Sequence, residues 1–406
     1  MTCLLLGANC QLPTANCQLP TANCQLPTAS PTMKLVSIVP RFFPLIDGIG
    51  DYALAQARLL REAEGIETQF IVADPEWYGL EIIEGFDVTH LARRFTSELF
   101  RNLPRANDEP VVLHYGGYGY AKRGCPVWLV SALERWRNEN GERSLMTIFH
   151  ELYATGPPWT SSFWLSPLQK NLTARLARLS DQRLTSLEVN AQTLNAMSGN
   201  GDRRTHNLPV FSSIGEPQSP PPLKDRRRRL VVFGTRGRRI EVYRRSSADL
   251  NRICSTLGIE EVLDIGEPID KRSFEALSVR SSVAGLRPSG EVSELLLDSV
   301  AGVIDYPAAV LGKSTIFAAY CSHRVIPIVA SYGDASPADG LESNEQYWLT
   351  DVQTERVSLD AGQAVADRAL DWYRQHNLST HAKLLAACLL GNGATHNVRS
   401  SSGSNG

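Results

Sequence analysis

Short apolar runs alternate with amphipathic segments through most of this chain. The first run, residues 35–39, predicts a buried strand, and residues 51–64 repeat apolar side chains at helical spacing. The alternation continues with predicted strands at 68–73, 110–114, 145–149 and 183–186 and predicted helices at 127–136, 163–179 and 187–197. Strands that alternate with helices indicate a mostly parallel sheet covered by helices on both faces.

A proline-rich segment interrupts this pattern, because four of the six residues 217–222 are proline. Such a segment forms an extended, semi-rigid connector. The alternation then resumes, with predicted strands at 230–233, 261–265, 302–305 and 325–330 and predicted helices from about 241 and at 291–300, 314–322, 364–375 and 380–390. Since 406 residues exceed a single core, we predict two Rossmann-like α/β domains, 33–215 and 230–395, that face each other across a cleft. Residues 216–229 are the predicted linker.

The two ends of the chain differ in composition from these domains. Residues 1–32 contain a seven-residue repeat, Cys-Gln-Leu-Pro-Thr-Ala-Asn and then Cys-Gln-Leu-Pro-Thr-Ala-Ser, whose prolines exclude a coiled coil. We interpret this segment as low-complexity, either disordered or upstream of the true start, and Met33 as the preferred initiator. Residues 396–406, rich in Ser, Gly and Asn, predict a disordered tail.

Cysteine usage and charge restrict the setting and the partners. Four of the eight cysteines lie in the repeat, and the other four, at 125, 254, 321 and 388, are scattered without metal-ligand spacing. This favours a reducing, cytoplasmic setting. The formal net charge of -2 argues against a nucleic-acid partner. No apolar run is long enough to span a bilayer, which leaves only peripheral membrane contact open. We interpret Arg226–Arg229 as part of a solvated linker.

A glycine loop follows the first predicted strand. Gly48 and Gly50 lie where backbone N–H groups and a helix N-terminus could approach a phosphate. The alternative is a flexible start to an ordinary helix. Gly48, Gly50 and Ala53 also fit a relaxed dinucleotide-binding fingerprint, with Asp74 at the end of the second strand. The long, proline-containing loop before Gly48 speaks against that fingerprint.

Chemically apt side chains also follow other predicted strands. His114 and Tyr115 end one strand, and His150 follows another. In the second half, Gly234 opens a loop that carries Arg236, Arg238 and Arg239. Arginine forks pair well with phosphate oxygens. The carboxyl ends of parallel strands are where open α/β sheets bind ligands, although an ordinary loop histidine or a solvated basic turn would look the same.

These motifs, in this order, resemble glycosyltransferases of the GT-B fold, particularly the large retaining family four. The resemblance rests on residues 33–40 and 48–52, 147–152, 234–239 and 305–319, and it spans nearly all of residues 33–390. It implies a hexosyltransferase that uses a nucleotide diphosphate-sugar as co-substrate, with neither a metal nor a further cofactor. The acceptor would be a carbohydrate or a lipid-linked molecule.

The resemblance also implies roles for individual residues. His150 would be catalytic, near the donor sugar. The donor would be bound by Gly48, Gly50, Arg236, Arg239, Lys313, Ser314 and Thr315. Contacts to the acceptor or the sugar would come from Asp51, Tyr52, His114 and Tyr115.

The chain departs from this family at one motif. Phe317 stands where the second glutamate of a Glu-x7-Glu pair is expected, and Asp305 is a stand-in for the first. Retention of configuration and the donor's identity therefore stay open. Two alternatives remain, an NAD-type Rossmann oxidoreductase and a catalytically inactive homologue that binds sugar nucleotides or glycans.

Overall fold

The computed structural model describes residues 33–399 except 46, 200–203, 331–337, 354 and 356. The predicted low-complexity segment 1–32 therefore lies outside the described residues, and so does most of the predicted tail. The final helix continues to Arg399, beyond residue 395, where the second domain was predicted to end.

The first domain is built around an eight-stranded sheet with the order β3-β4-β2-β1-β5-β6-β7-β8. Its strands are β1 Met33–Val39, β2 Ile66–Val72, β3 Ile82–Ile83, β4 Phe86–His90, β5 Val111–Tyr115, β6 Leu145–Phe149, β7 Gln182–Thr185 and β8 His206–Asn207. Its helices are α1 Gly48–Glu64, α2 Thr96–Asn102, α3 Gly117–Tyr120, α4 Val127–Glu139, α5 Ser161–Leu179 and α6 Glu188–Ser198. The pairings are parallel except β3 with β4.

The second domain has a six-stranded parallel sheet with the order β11-β10-β9-β12-β13-β14. Its strands are β9 Arg227–Phe233, β10 Glu261–Ile265, β11 Arg280–Gly285, β12 Ser299–Asp305, β13 Ile326–Ala330 and β14 Trp348–Leu349. Its helices are α7 Arg236–Leu257, α8 Ser289–Leu297, α9 Thr315–Ser322, α10 Leu359–Arg374 and α11 Leu378–Arg399. The prediction of two parallel-sheet α/β domains is thus confirmed.

Burial on both faces explains why the central strands read as unbroken apolar runs. Every residue of β5, β6 and β12 is buried, as expected for a parallel sheet covered by helices. In the order of each sheet, β1 and β9 are central, so the loops that leave their carboxyl ends start in the middle of the domain.

The last helix belongs to the second half of the chain but packs on the first domain. α11 lies against α1, and the two are joined by a hydrogen bond between Tyr52 and His381. His381 also bonds to the carbonyl of Pro209, in the segment that connects the domains. The end of the chain therefore fixes how α1 sits beside the connector.

The interpretation of Arg226–Arg229 as a solvated linker is wrong. β9 begins at Arg227, inside the predicted linker, and Arg226 and Arg229 are 6% and 7% exposed. The Arg226 guanidinium donates to the carbonyl oxygens of Pro221, Ser299 and His323, and Arg229 pairs with Glu261 and Asp298. A guanidinium has five donors, so Arg226 can tie three backbone segments together at the amino end of the sheet.

Within the described residues, no helix is both long and apolar enough to cross a membrane.

Candidate functional site

Two histidines meet at the carboxyl edge of the first sheet. His114 lies in β5, and His150 directly follows β6. Their rings stack with centroids 5.5 Å apart, and His114 Nδ1 lies 3.2 Å from His150 Nε2. His114 is buried and His150 is half-buried. The structure therefore brings the two predicted strand-end histidines together as a pair.

A cleft of about 540 Å³ opens beside this edge and takes its walls from both domains. Tyr118, Glu151 and Tyr153 line it from the first domain, and Tyr306 and Lys313 from the second. Lys313 Nζ lies 3.5 Å from Glu151 Oε1, so an ion pair crosses between the domains at the residue after His150. The cleft is wide enough for a small-molecule substrate.

Both histidines are held in the neutral form. Burial, helped by the positive charge of Lys313 and by His381, lowers the pKa of His150 to about 3. Burial and the adjacent His150 lower the pKa of His114 well below its usual range. A neutral imidazole has one N–H donor and one acceptor nitrogen. The pair can therefore hydrogen-bond a hydroxyl in either sense without bringing a positive charge to the site.

A hydrogen-bonded chain stands behind the histidines. The carbonyl of Pro209 can only accept, so His381 Nε2 donates to it at 2.8 Å and His381 Nδ1 accepts from Tyr52 Oη at 2.8 Å. Gln56 Nε2 in turn donates to Tyr52 Oη. The Tyr52 ring meets His150 edge-on at 5.0 Å and His114 at 5.9 Å. Tyr52 is 7% exposed, so it positions the histidines, in place of the predicted direct contact with a sugar.

The buried His381 makes the stability of this chain depend on pH. Burial lowers the pKa of His381 to about 4 in the folded protein, against about 6.5 when unfolded. The unfolded chain then binds more protons between these values, so stability falls as the pH drops below 6.5. Protonation of His381 alone should lower the free energy of unfolding by about 2 kcal/mol between pH 7 and pH 5. Urea unfolding of wild type and His381→Gln at both pH values measures it. An equal pH dependence in the two proteins would contradict the assignment.

The glycine loop is arranged differently from the prediction. Asp47 caps α1, and its carboxylate accepts from the backbone N–H groups of Ile49, at 3.2 Å, and Gly50, at 3.0 Å. Because the Gly50 N–H is already bonded to Asp47, the predicted phosphate contact at Gly50 is corrected, whereas a phosphate contact at Gly48 stays a prediction. A Cβ at position 50 would lie 2.5 Å from the carbonyl oxygen of Arg41. Close packing against that backbone therefore explains the glycine.

Two further predicted acceptor contacts lie at different depths. Tyr115 has no exposed surface and packs edge-on against Phe149 in the core. Successive residues of a strand point to opposite faces, so His114 and Tyr115 are on opposite sides of the sheet and the Tyr115 prediction is corrected. Asp51 is exposed in the first turn of α1, and its contact with a substrate stays a prediction.

The arginines after β9 divide into two kinds. Arg236 is exposed at the first position of α7. Arg238 lies 3.4 Å from Asp305 at the end of β12, and its guanidinium is 5.2 Å from the centre of the Tyr306 ring. The N-terminus of a 22-residue helix lies at the same edge of the second sheet, where its dipole favours negative charge. Contact of Arg236 with a phosphate-bearing donor stays a prediction.

Arg239 is the other kind, because it is 1% exposed beneath this loop. Its guanidinium pairs with Asp264 and donates to the carbonyl oxygens of Gly234 and Glu267. These bonds direct its donors into the protein, so the prediction that Arg239 contacts the donor is corrected. It instead braces the loop that carries Arg236 and Arg238.

The segment 313–317 also has a partly structural role. Ser314 caps α9 and accepts from the backbone N–H of Phe317 at 3.2 Å, and Thr315 is half-buried beside it. Phe317 has no exposed surface and packs against Trp372 and Tyr347. The position that departs from the family motif is therefore a core position here. Contact of Lys313, Ser314 and Thr315 with phosphates stays a prediction.

Sequence reasoning missed Glu151 and Tyr306 as cleft residues. Each directly follows a residue that the sequence does single out, His150 and Asp305, at the end of a strand. Asp305 itself is 1% exposed and lies close to Arg238 and Arg245. The signal available in the sequence was the position of these residues at the ends of strands. The ion pair between Glu151 and Lys313 shows that the residue after His150 also faces the cleft.

The comparisons with known proteins concern the fold. No protein-family model and no curated protein matches the chain. Similar solved structures include the trehalose 6-phosphate synthase of Burkholderia multivorans, at TM-score 0.59 and 13% identity over 92% of this chain and 100% of that one. An α-glucosyltransferase bound to UDP-glucose and DNA gives 0.55 and 10% over 88% and 99%.

A third similar structure, described as a UDP-N-acetylglucosamine 2-epimerase of Listeria monocytogenes, gives TM-score 0.52 and 13% identity over 87% and 95% of the two chains. At such low identity these likenesses define the architecture. This chain has the two-domain GT-B fold that the sequence predicts.

Proposed function

We propose that this protein is a glycosyltransferase that moves a sugar from a nucleotide diphosphate-sugar to an acceptor bound in the cleft. The observation that carries the proposal is the pair His114 and His150 at the carboxyl edge of one sheet, opposite the cationic edge of the other. Proteins of the same fold were solved with UDP and with UDP-glucose. The two-domain cleft provides one wall for each substrate.

The second domain is the proposed donor side. Arg236 and Arg238 would neutralise the diphosphate, together with the N-terminus of α7 and with Lys313, which lines the cleft from the same domain. These cations would stabilise the charge that develops on the leaving diphosphate, which is the role of a metal ion in other enzymes. We therefore propose transfer without a metal or a further cofactor.

The first domain is the proposed reacting side. Neutral His150 would hydrogen-bond a sugar hydroxyl, and this bond would strengthen as positive charge develops on the sugar. The aromatic rings of Tyr118 and Tyr153 in the same cleft suit the apolar face of a sugar. A carbohydrate or lipid-linked acceptor fits this surface, and we propose hexosyl transfer with retention. Free, buried Cys254, Cys321 and Cys388 support a reducing, cytoplasmic setting.

One observation favours a second candidate, a homologue that binds sugar nucleotides without turning them over. Phe317 fills a core position where the resembled family has a glutamate for the donor ribose, so this contact is missing here. The oxidoreductase alternative is disfavoured by two carboxylates. Asp47 accepts from the N–H groups of Ile49 and Gly50, two of the donors that the glycine loop would offer to a pyrophosphate. Asp74, which would bind a ribose, is engaged by Arg41 and Arg94.

The proposal is tested by a screen followed by chemistry. Nucleotide sugars and NAD are compared by thermal shift, and each stabilising ligand is then incubated with candidate acceptors and analysed for transfer, hydrolysis and epimerisation. Transfer with release of a nucleoside diphosphate is the expected result. Binding without turnover would favour the inactive homologue, and stabilisation by NAD alone or epimerisation alone would overturn the proposal.

Arg236→Ala should weaken binding of the nucleotide sugar about 10- to 100-fold, since a charge-assisted hydrogen bond contributes about 1.5–3 kcal/mol. The side chain is exposed, so the fold should be unaffected. Isothermal titration of the stabilising nucleotide sugar measures the change. Arg280→Ala, an exposed arginine on the edge strand β11, is the matched control and should bind normally. Equal affinity in Arg236→Ala and the wild type would remove this loop from the donor site.

A further inference from the structure

An exposed aromatic surface surrounds the start of α5. Trp159 and Trp164 are 84% and 71% exposed, and Phe163 and Leu168 are 42% and 40% exposed. Phe163 and Trp164 meet edge-to-face, with centroids 5.3 Å apart. Single exposed apolar residues are common, but four within ten residues of sequence, two of them tryptophans, indicate an interaction site.

The same surface is cationic, and the two sequence segments that form it contain no acidic residues. Residues 152–180 contain no Asp or Glu, and neither do residues 110–133. Gln169 of α5 donates to the carbonyl oxygen of Arg123 at 2.9 Å and to Tyr118 Oη at 3.3 Å. Exposed Lys122 and Arg123 therefore lie beside α5, next to exposed Lys170. The net charge of the whole chain conceals this local excess of positive charge.

We infer that this surface, defined as Trp159, Phe163, Trp164 and Leu168 with Lys122, Arg123 and Lys170, docks on an anionic lipid bilayer. Tryptophan and phenylalanine rings favour the boundary between headgroups and acyl chains, and lysine and arginine attract anionic headgroups. The most exposed ring, that of Trp159, stands outside the walls of the cleft. It therefore suits insertion into a bilayer better than stacking on a bound sugar.

The surface adjoins the cleft, because Gln169, Tyr118 and Tyr153 line the cleft while Gln169 also ties the cationic loop to α5. Lys170 lies 4.9 Å from the centre of the Tyr153 ring. A docked protein would then present the cleft near the bilayer, and a lipid-linked acceptor could enter from there. This last step rests on the proposed function, whereas the docking itself does not.

Sedimentation with vesicles tests the docking on the full chain. One set of vesicles is phosphatidylcholine alone, and the other contains roughly one third phosphatidylglycerol. We expect binding to the anionic vesicles, with Trp159→Ser/Trp164→Ser lowering the partition coefficient about tenfold or more. Lys122→Ala/Arg123→Ala/Lys170→Ala should lower it by about fivefold for each cation. The control Tyr78→Ser/Leu80→Ser removes two large exposed side chains elsewhere in the first domain, 71% and 73% exposed, and should bind like the wild type.

Melting temperature and nucleotide-sugar affinity are measured for every variant, so that a failure of the donor proposal is seen separately from a failure of docking. Wild-type protein that stays in the supernatant with anionic vesicles would overturn the inference. Equal partition of the tryptophan variant and the wild type would overturn it as well. Loss of soluble-glycan binding in the tryptophan variant, with unchanged vesicle binding, would assign the surface to an acceptor and not to a membrane.

Discussion

Replacing His150 with alanine is expected to lower kcat about 100- to 1000-fold, the usual effect of removing one hydrogen-bonding group that acts on transition-state charge. Donor affinity should change little, because the cations proposed to hold the diphosphate lie on the second domain. The imidazole is neutral, paired with His114 at 3.2 Å and braced by Tyr52. A group that acts mainly in the transition state lowers kcat and kcat/KM together.

Steady-state kinetics with the nucleotide sugar from the binding screen, together with a denaturant titration of each protein, measures this effect. His150→Gln keeps an amide in place of the imidazole and should recover part of the rate. His90→Ala is the matched control, since His90 is an exposed histidine at the end of β4. Full activity in a well-folded His150→Ala protein would remove His150 from the site and leave His114 as the next candidate. A lowered melting temperature with normal turnover would make the role structural.

Much of the fold was predictable because buried parallel strands carry a strong apolar signal. β6 and β10 have the predicted bounds, 145–149 and 261–265. The missed strands lack that signal for physical reasons. β4, Phe86–His90, alternates buried and exposed residues and so has no apolar run. β3, β8 and β14 have two residues each, too few to show a period. β11, an edge strand with the sequence Arg-Ser-Ser-Val-Ala-Gly, has only exposed and half-buried residues and no apolar run.

The candidate site was predictable only for residues whose position along a strand determines whether the side chain reaches the site. His114 and His150 come together because β5 and β6 are neighbours in one parallel sheet. Tyr115 could have been excluded from the same rule, since adjacent strand residues face opposite sides. The capping by Asp47 also had a local signal, because aspartate directly before a helix commonly binds the first free N–H groups. A phosphate site and a self-capped helix look alike until that residue is considered.

The fate of the two arginines was not predictable from local sequence. Arg236 and Arg239 share one short loop and helix start, but only Arg239 meets Asp264, which lies at the end of β10, 25 residues further along the chain. The pairing depends on β9 and β10 being neighbours in the sheet. Charge in the sequence shows that an arginine is present, whereas burial in the fold decides whether it faces a ligand or the core.

Arg239→Met is accordingly expected to destabilise the protein by about 3–5 kcal/mol, the usual result of removing one partner of a buried ion pair. Asp264 would be left without its cation, and the carbonyl oxygens of Gly234 and Glu267 would lose their donor. The Arg239 guanidinium is also tightly packed, because a Cβ at Gly266 would already lie 2.8 Å from it. Arg236→Met, at an exposed position, should change stability by no more than about 0.5 kcal/mol.

Urea unfolding of Arg239→Met, Arg236→Met and the double variant Arg239→Met/Asp264→Asn measures these differences. Burial raises the pKa of Asp264 and Arg239 opposes that rise, so a neutral asparagine at 264 should recover part of the lost stability while Tyr243 can still donate to it. Donor affinity of Arg239→Met should also fall, since the loop that carries Arg236 and Arg238 loses its brace. Wild-type stability in Arg239→Met, with weakened donor binding alone, would return Arg239 to the list of direct donor contacts.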